Sequence, residues 1–317
     1  MFEMTTVLIS GGTGFIGSTL TNLLLQKGYK VIILTRNLKK AIDRQAPDER
    51  LTYARWNFEE QSIDRDAIEK ADYIVHLAGE GVADKRWTAK RKKQIVQSRI
   101  QSSGLVVKAL KEIPNHVKAV ISASGIGWYG PDKPKDKTPR PFIESDPADP
   151  SFLGEACKWW EESIQPVSSL ALRLVKFRFG IVMGTKGGAF PEFARPLKFG
   201  IAGILGSGKQ VLSWIHIDDL CRLLLFAIEN ENIEGVYNAV SPVPVTNKQF
   251  TLQLAQRMRG KTFIPIHVPA WALKTALGEM SIEVLKSTTV SSGKLQQTGF
   301  QFVYPHIDAA LNELVKR

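Results

Sequence analysis

The sequence predicts an α/β fold, a doubly wound parallel sheet with a smaller mixed α/β lobe toward the C-terminus. Three observations carry that prediction. An apolar run, Thr6–Ser10, meets at once the glycine-rich stretch Gly11-Gly-Thr-Gly-Phe-Ile-Gly17. Short apolar runs then alternate with helical patterns over residues 1–180, an order that argues parallel strands joined by helices. Beyond residue 180 the alternation gives way to glycine-rich turns and shorter segments.

Each element has a local reason. Thr6–Ser10 reads as a buried strand, and Phe15 to Lys27 carries Ile16, Leu20, Leu23 and Leu24 at helical spacing before the C-cap Gly28. Further strands are expected at Lys30–Leu34, Leu51–Trp56, Tyr73–Leu77, Ala119–Ser122 and Leu170–Phe177, with helices over about 88–111 and 152–164. The proline-rich, charged stretch Pro131–Pro150 reads as a long surface loop, either a substrate-entry lid or an ordered connection. Downstream, Phe190–Phe199 reads as a helix, Gly200–Gly208 as turns, Val211–Ile217 as a strand and Asp218–Glu229 as a helix. Gly235–Val240 closes the sheet, and 246–259, 270–286 and 306–316 read as helices. The expected dinucleotide-binding domain is therefore 1–180, with 211–240 returning to the sheet. Residues 181–210 and 241–317 form the smaller lobe, closing over the carboxyl edge.

At 317 residues, 44% hydrophobic and 23% charged, the composition is that of an ordinary globular protein. No secretory signal and no membrane-length apolar run is evident, so a cytoplasmic protein with no membrane partner is expected. Cys157 and Cys221 are too few for a disulfide framework, and no Cys-x-x-Cys or histidine cluster suggests a metal. The net charge of +11 is densest at Lys85-Arg86 and Lys90–Lys93. The favoured reading is the solvated face of the 88–111 helix, whose Ile95, Ile100, Leu105, Val106 and Leu110 face inward. Attraction of phosphate-bearing ligands is the second reading. Nucleic acid is not expected, because no recognition motif accompanies the charge.

A glycine turn between strand and helix presents unhindered N–H groups and the positive helix end to a pyrophosphate, the Rossmann arrangement. The end of the second strand then selects the cofactor, because an acid there holds a free ribose and repels a 2′-phosphate. Here it reads Leu34-Thr-Arg36-Asn, with Lys39 and Lys40 nearby and no acid before Asp43. Arg36 therefore points to NADP(H) over NAD(H), with adenine stacking or a solvent-facing side chain as the alternative. One stretch is a decoy. Gly203-Ile-Leu-Gly-Ser-Gly-Lys-Gln210 nearly matches a nucleoside-triphosphate loop, but Gln210 lacks the metal-binding hydroxyl and a strand follows instead of a helix.

The chain resembles an extended short-chain dehydrogenase/reductase. Matching pieces are Gly11–Gly17, His76-Leu-Ala-Gly79, Ile121-Ser-Ala-Ser124, Trp128-Tyr-Gly130 and Trp214-Ile-His-Ile-Asp-Asp219. It is more closely similar to the atypical branch labelled epimerase-family proteins, with their C-terminal domain of unknown function. The matches there include Leu77-Ala-Gly-Glu80, Ser98-Arg99, Trp160-Glu161, Arg178–Gly184, Gly206-Ser-Gly208 and Thr298–Pro305. The resemblance implies that Gly11, Thr13, Gly14, Phe15, Ile16 and Gly17 line the pyrophosphate, and that Thr35 and Arg36 face the adenosine. Leu77, Ala78 and Gly79 would border the adenosine and ribose, Arg99 would approach the cofactor, and Val182 would lie near the nicotinamide.

The resemblance also implies a catalytic serine at Ser124, polarising a carbonyl. The superfamily's tyrosine–lysine pair is missing, because its positions hold Leu153 and Cys157. General acid–base catalysis contributes about 10²–10⁴-fold, so the loss matters. Tyr129 and Cys157 are the candidate substitutes, the first against a packing role and the second against an inert buried thiol. His216, Glu80 and Glu155 are further candidates, with Asp218 and Asp219 expected to cap the helix after His216. Two functions stay open. One is an NADP(H)-dependent oxidoreductase or nucleotide-sugar-epimerase-like enzyme on a small polar or phosphorylated molecule, as monomer or homodimer. The other is a catalytically silent NADPH-binding regulator or sensor.

Overall fold

The computed structural model describes residues 4–42, 48–132 and 140–316. Asp43 and residues 133–139 of the expected loop lie outside them. In chain order the elements are β1 (Thr6–Ser10), α1 (Phe15–Gln26), β2 (Lys30–Thr35), α2 (Leu38–Ile42), β3 (Leu51–Asn57), β4 (Ser62–Ile63), α3 (Arg65–Glu69) and β5 (Tyr73–His76). Next come α4 (Ala89–Glu112), β6 (Ala119–Gly125), α5 (Phe152–Ile164), β7 (Arg173–Phe179), β8 (Ile181–Gly184), β9 (Gly187–Gly188), α6 (Phe190–Leu197) and β10 (Ile201–Leu205). The chain continues with β11 (Val211–Leu212), β12 (Trp214–His216), α7 (Ile217–Glu229), β13 (Gly235–Ala239), β14 (Val245–Thr246), α8 (Asn247–Arg259) and β15 (Ile264–Val268). Four helices end it: α9 (Ala270–Leu277), α10 (Ser281–Leu285), α11 (Gly293–Gln297) and α12 (Ile307–Lys316).

The central sheet has the order β13-β7-β6-β5-β1-β2-β3-β4, parallel throughout except for β4. Successive residues feed opposite cores, which is why the strands are continuous apolar runs. Val7 and Ile9 pack with Leu20, Leu24, Leu220 and Leu224 on one side. Leu8, with Ile32 and Ile74, packs against Leu105, Val106 and Ile164 on the other. A third cluster, including Trp214, Phe250, Leu254 and Leu311, holds the C-terminal lobe together.

Several expectations are corrected. Ile100 does not face inward, being 38% exposed, and Arg91 of the basic run is buried instead of solvated. Of 211–240, only β13 rejoins the central sheet as a strand. The expected strand 211–217 breaks at Ser213, whose Oγ donates to the Thr288 carbonyl and accepts from Val290 N, and Ile217 already belongs to α7. Its two halves pair elsewhere, β11 with β14 and β12 with β8. The expected turns 200–208 contain β10, because 264–268 supplies a parallel partner that lies 63 residues away in sequence. The expected helix 270–286 breaks at Gly278, which takes φ +63°. Near the 131–150 loop, Asp132 accepts from Ser287 and Thr289, and Trp128 Nε1 donates to the Asp146 carbonyl, so the described part is a packed connection.

His76, ending β5, is fully buried. Its Nδ1 lies 2.7 Å from Ser10 Oγ and its Nε2 3.1 Å from Ser103 Oγ. Burial pushes its pKa down to about 4. The unfolded chain, with an ordinary histidine near 6.5, therefore binds the extra proton first as pH falls. Stability is fully present above about 6.5 and is lost on descending toward 4. We expect wild type to lose roughly 2 kcal/mol more than His76→Gln between pH 7 and pH 5 in urea denaturation. Equal pH slopes for the two proteins would contradict this assignment.

Candidate functional site

The glycine turn is set by two close approaches. Gly11 takes φ +76°, and a Cβ there would sit 2.9 Å from the Leu77 carbonyl carbon, so the end of β5 abuts the turn. A Cβ on Gly17 would lie 2.3 Å from the Gly11 carbonyl oxygen, so α1 rests directly on the turn it leaves. Gly14 is the N-cap of α1, without a side-chain cap or an acid in the first turn. By contrast Asp64 caps α3, Thr88 caps α4, and Thr246 with Gln249 forms a capping box on α8. The free donors and positive end of this 12-residue helix suit an anion, so the turn fits the pyrophosphate of a dinucleotide.

A groove of about 400 Å³ opens from this turn along the carboxyl ends of β1, β2, β3 and β5. It gathers Gly11, Thr13, Gly14, Thr35, Arg36, Leu77, Ala78 and Gly79 from among the expected residues. Sequence reading did not bring in Trp56 and Phe58 and gave Asn37 and Ser98 no place in the site, yet all four line it. The available signal was register: Thr35 pairs with Arg55, which carries the aromatic end of β3 beside Arg36. The Arg36 guanidinium carbon lies 5.4 Å from the Phe58 ring centre, with Lys40 across the same groove. Among the described residues Glu80 is the one acid in the lining, and its carboxylate accepts from Arg91 Nη1 at 2.9 Å.

Other expected residues sit behind the groove. Gly17 lies under the turn, and the Ile16 carbonyl faces the Cys221 thiol. The Phe15 ring packs against Gly184, Gly187 and Gly188, while Val182 pairs with Ile215. Arg99 props the groove wall from below. Its Nη1 donates to the carbonyls of Glu80 and Ile95 at 3.0 and 2.8 Å, and its guanidinium packs between Gly79 and the Trp160 ring. Burial lowers its pKa, and among the described residues no carboxylate forms an ion pair with it.

A second constellation lies at the ends of β6, β7 and β13. Ser124, Arg178 and Asn238 stand in register across these three strands. Glu161 reaches in from α5 and accepts from Ser124 Oγ at 2.8 Å and from Arg178 Nε and Nη2 at 2.8 and 3.1 Å. Arg178 Nη1 donates to Tyr129 Oη at 2.9 Å, and the guanidinium lies 3.6 Å over the Trp128 ring. Because a carboxylate only accepts, the Ser124 proton is committed to Glu161, and the serine offers a substrate lone pairs alone. The implied role of polarising a carbonyl therefore does not fit this geometry.

The proposed substitutes for the missing pair fare no better. Tyr129 has a fully buried ring stacked on Phe142, and its hydroxyl meets Asn238 Oδ1 at 2.8 Å as well as Arg178. Its ring is closed off from solvent and its proton is committed to Asn238, so the geometry makes Tyr129 a packing residue instead of the expected proton donor; burial also pushes its pKa up to about 12. Burial likewise pushes the Cys157 thiol up to about 11, against the pull of Arg99, which corrects the reactive-thiol reading. Glu155 points to solvent on the far side of α5. His216, fully buried, is itself the cap of α7, accepting from Asp218 N at 3.2 Å. Asp219 instead receives Val303 N and Tyr304 N, pinning the C-terminal segment.

Comparison with known proteins agrees with this geometry. Residues 7–239 match the model of the NAD-dependent epimerase/dehydratase family, and residues 268–314 match a domain of unknown function, DUF1731. The chain is 34% identical over 309 residues to the epimerase family protein YfhF of Bacillus subtilis, covering 98% of this chain and 97% of that one. Among solved structures, human epimerase family protein SDR39U1 with NADPH superposes with a TM-score of 0.84 at 30% identity, over 99% of this chain and 100% of that one. A nucleoside-diphosphate sugar epimerase from Corynebacterium glutamicum superposes at 0.75 and 27% identity, over 99% of this chain and 58% of that one.

Two outcomes follow from the buried groups. Glu161→Ala leaves the Arg178 guanidinium buried without its carboxylate, and we expect a loss of about 3–5 kcal/mol in chemical denaturation. The exposed Glu155→Ala on the same helix is expected to stay within about 0.5 kcal/mol. In the folded protein at pH 8, Cys157 and Cys221 should both resist a thiol-specific disulfide reagent and react fully once unfolded. Fast labelling of Cys157 in the native state would restore the reactive-thiol reading.

Proposed function

The chain belongs to the NAD-dependent epimerase/dehydratase family, and from that premise we propose that it binds NADP(H) in preference to NAD(H) and acts as an oxidoreductase or epimerase-like enzyme on a small polar molecule. The observation that carries the cofactor preference is the adenosine end of the groove. Arg36 and Lys40 line it beside Thr35 and Asn37, and among the described residues the lining there contains no acid to repel a 2′-phosphate. NADPH in the human SDR39U1 structure supports the same reading.

Bound there, the dinucleotide supplies a hydride donor or acceptor. The chain's part would be to hold it: the uncapped end of α1 would take the pyrophosphate, Arg36 and Lys40 the adenosine phosphate, and Leu77 to Gly79 the middle of the molecule. Ser124, with its proton held by Glu161, favours a substrate hydroxyl, which donates, over a carbonyl, which only accepts.

A second reading, a cofactor-binding sensor, is favoured by the burial of Tyr129 and Cys157, which leaves the usual acid–base position without a titratable group suited to neutral pH. Oxidation of bound NADPH by any member of a carbonyl panel, or reduction of NADP⁺ by an alcohol panel, supports the enzyme. Inactivity on both panels, with unaltered NADPH binding, supports the sensor.

Charge-assisted contacts are worth about 1.5–3 kcal/mol, so Arg36→Glu is expected to weaken NADPH binding roughly ten- to hundredfold in a fluorescence titration. NADH binding should change much less. Equal losses for the two cofactors would defeat the preference.

A further inference from the structure

The C-terminal lobe carries an apolar face that stays exposed among the described residues. Parallel pairing of β10 with β15 places Ile201 opposite Ile264 and Gly203 opposite Ile266. Alternation turns Ala202 and Ile204 into the lobe, where both are buried, and sends Ile201, Ile264 and Ile266 outward. Ile264 is 67% exposed, Phe199 just before β10 is 80% exposed, and Trp271 just after β15 is 71% exposed. Ile201, Ile264 and Ile266 share one exposed face, with Phe199 ahead of its start and Trp271 beyond its end, and exposed apolar side chains of this size mark an interaction surface.

The surroundings say what would cover it. The two segments that build the face, 195–209 and 257–275, contain seven Lys and Arg residues and no Asp or Glu. Arg195 and Arg257 are paired with Glu192 and Asp308. Lys198, Lys209, Arg259, Lys261 and Lys274 form no ion pair among the described residues. A second copy docked face to face would bring these cations against themselves. Strand addition is also hindered. Ile264 N bonds inward to Gly200 O, so Pro265 and His267 are the residues turned to the free edge, and proline has no N–H to give.

We propose that this face is a docking surface for an anionic lipid surface, with Phe199 and Trp271 inserting at the headgroup level and the unpaired cations drawn to lipid phosphates. Aromatic side chains and a basic rim around a small apolar area are the elements of interfacial binding. The attachment is peripheral, since among the described residues no helix is long and apolar enough to cross a membrane. It goes against the expectation of no membrane partner, which rests on the lack of a membrane-length apolar run and does not bear on surface attachment.

The test uses the full chain and co-sedimentation with phosphatidylcholine vesicles, with and without one quarter phosphatidylglycerol. Binding is expected only to the anionic vesicles, falling steeply with salt. Phe199→Ser with Trp271→Ser should lower the partition coefficient roughly tenfold or more. Lys198→Gln, Arg259→Gln and Lys261→Gln should each lower it about fivefold. Unchanged thermal unfolding midpoints show that these exposed variants are folded. Absence of binding to anionic vesicles, equal binding to neutral ones, or binding indifferent to the aromatic pair overturns the proposal. Capture by soluble polyglutamate with the same aromatic dependence, and none by vesicles, would assign the face to an acidic protein instead.

Discussion

The ion pair between Glu161 and Arg178 constrains the whole carboxyl edge of the sheet. Both side chains are almost completely removed from water, and a buried charge is tolerated only when its hydrogen-bonding capacity is met. That requirement recruits the neighbours. Ser124 fills one acceptor position of the carboxylate, Tyr129 takes a guanidinium proton, and Asn238 takes the tyrosine's. Trp128 covers the cation's face. Because Ser124, Arg178 and Asn238 come from three adjacent strands in one register, a slip of any strand by one residue would break the network. Tyr129 also fixes the following loop, and its carbonyl receives Lys286 Nζ from the C-terminal lobe. The pair therefore ties β6, β7, β13, α5 and the lobe together at one point.

The dinucleotide groove depends on a different constraint, contact between backbones. Gly17 lets α1 rest on the Gly11 carbonyl, and Gly11 lets the end of β5 approach the turn. Neither contact needs a charge, so the groove is preorganised independently of the Glu161 network. Arg99 connects the two regions. It props Gly79 and Glu80 on the groove side, and its charge acts on the Cys157 thiol on the other.

How far the sequence was legible follows from the range of the interactions. Local signals were enough for the strands of the central sheet and for the glycine turn, because apolar period and a Gly-rich strand–helix junction are properties of a few adjacent residues. Arg36 was legible for the same reason, being fixed by its position after β2. Distant pairing was not. β10 exists because 264–268 lies beside it, and Ser213 divides one apolar run because Thr288 and Val290 claim its hydroxyl. Trp56 and Phe58 enter the groove through strand register. Glu161 and Arg178 stand within motifs that mark the family resemblance, yet their meeting across 17 residues was invisible without the fold.

The separation of the two constraints bears on what the protein can do. In a site built for the usual acid–base pair, the groups at the Leu153 and Cys157 positions must titrate and reach the cofactor. Here α5 turns the face that bears Cys157 and Glu161 toward the polar row, where Cys157 stays protonated and Glu161 is held by Arg178. The charge that holds the sheet edge together is thus the same charge that withdraws Ser124 from donating to a substrate, while Asn238 takes the Tyr129 proton. Any chemistry in this cleft has to work around a stabilising network instead of through it. A substrate that donates to the Ser124 oxygen, and draws its remaining recognition from the lobe, meets that condition without disturbing a buried ion pair.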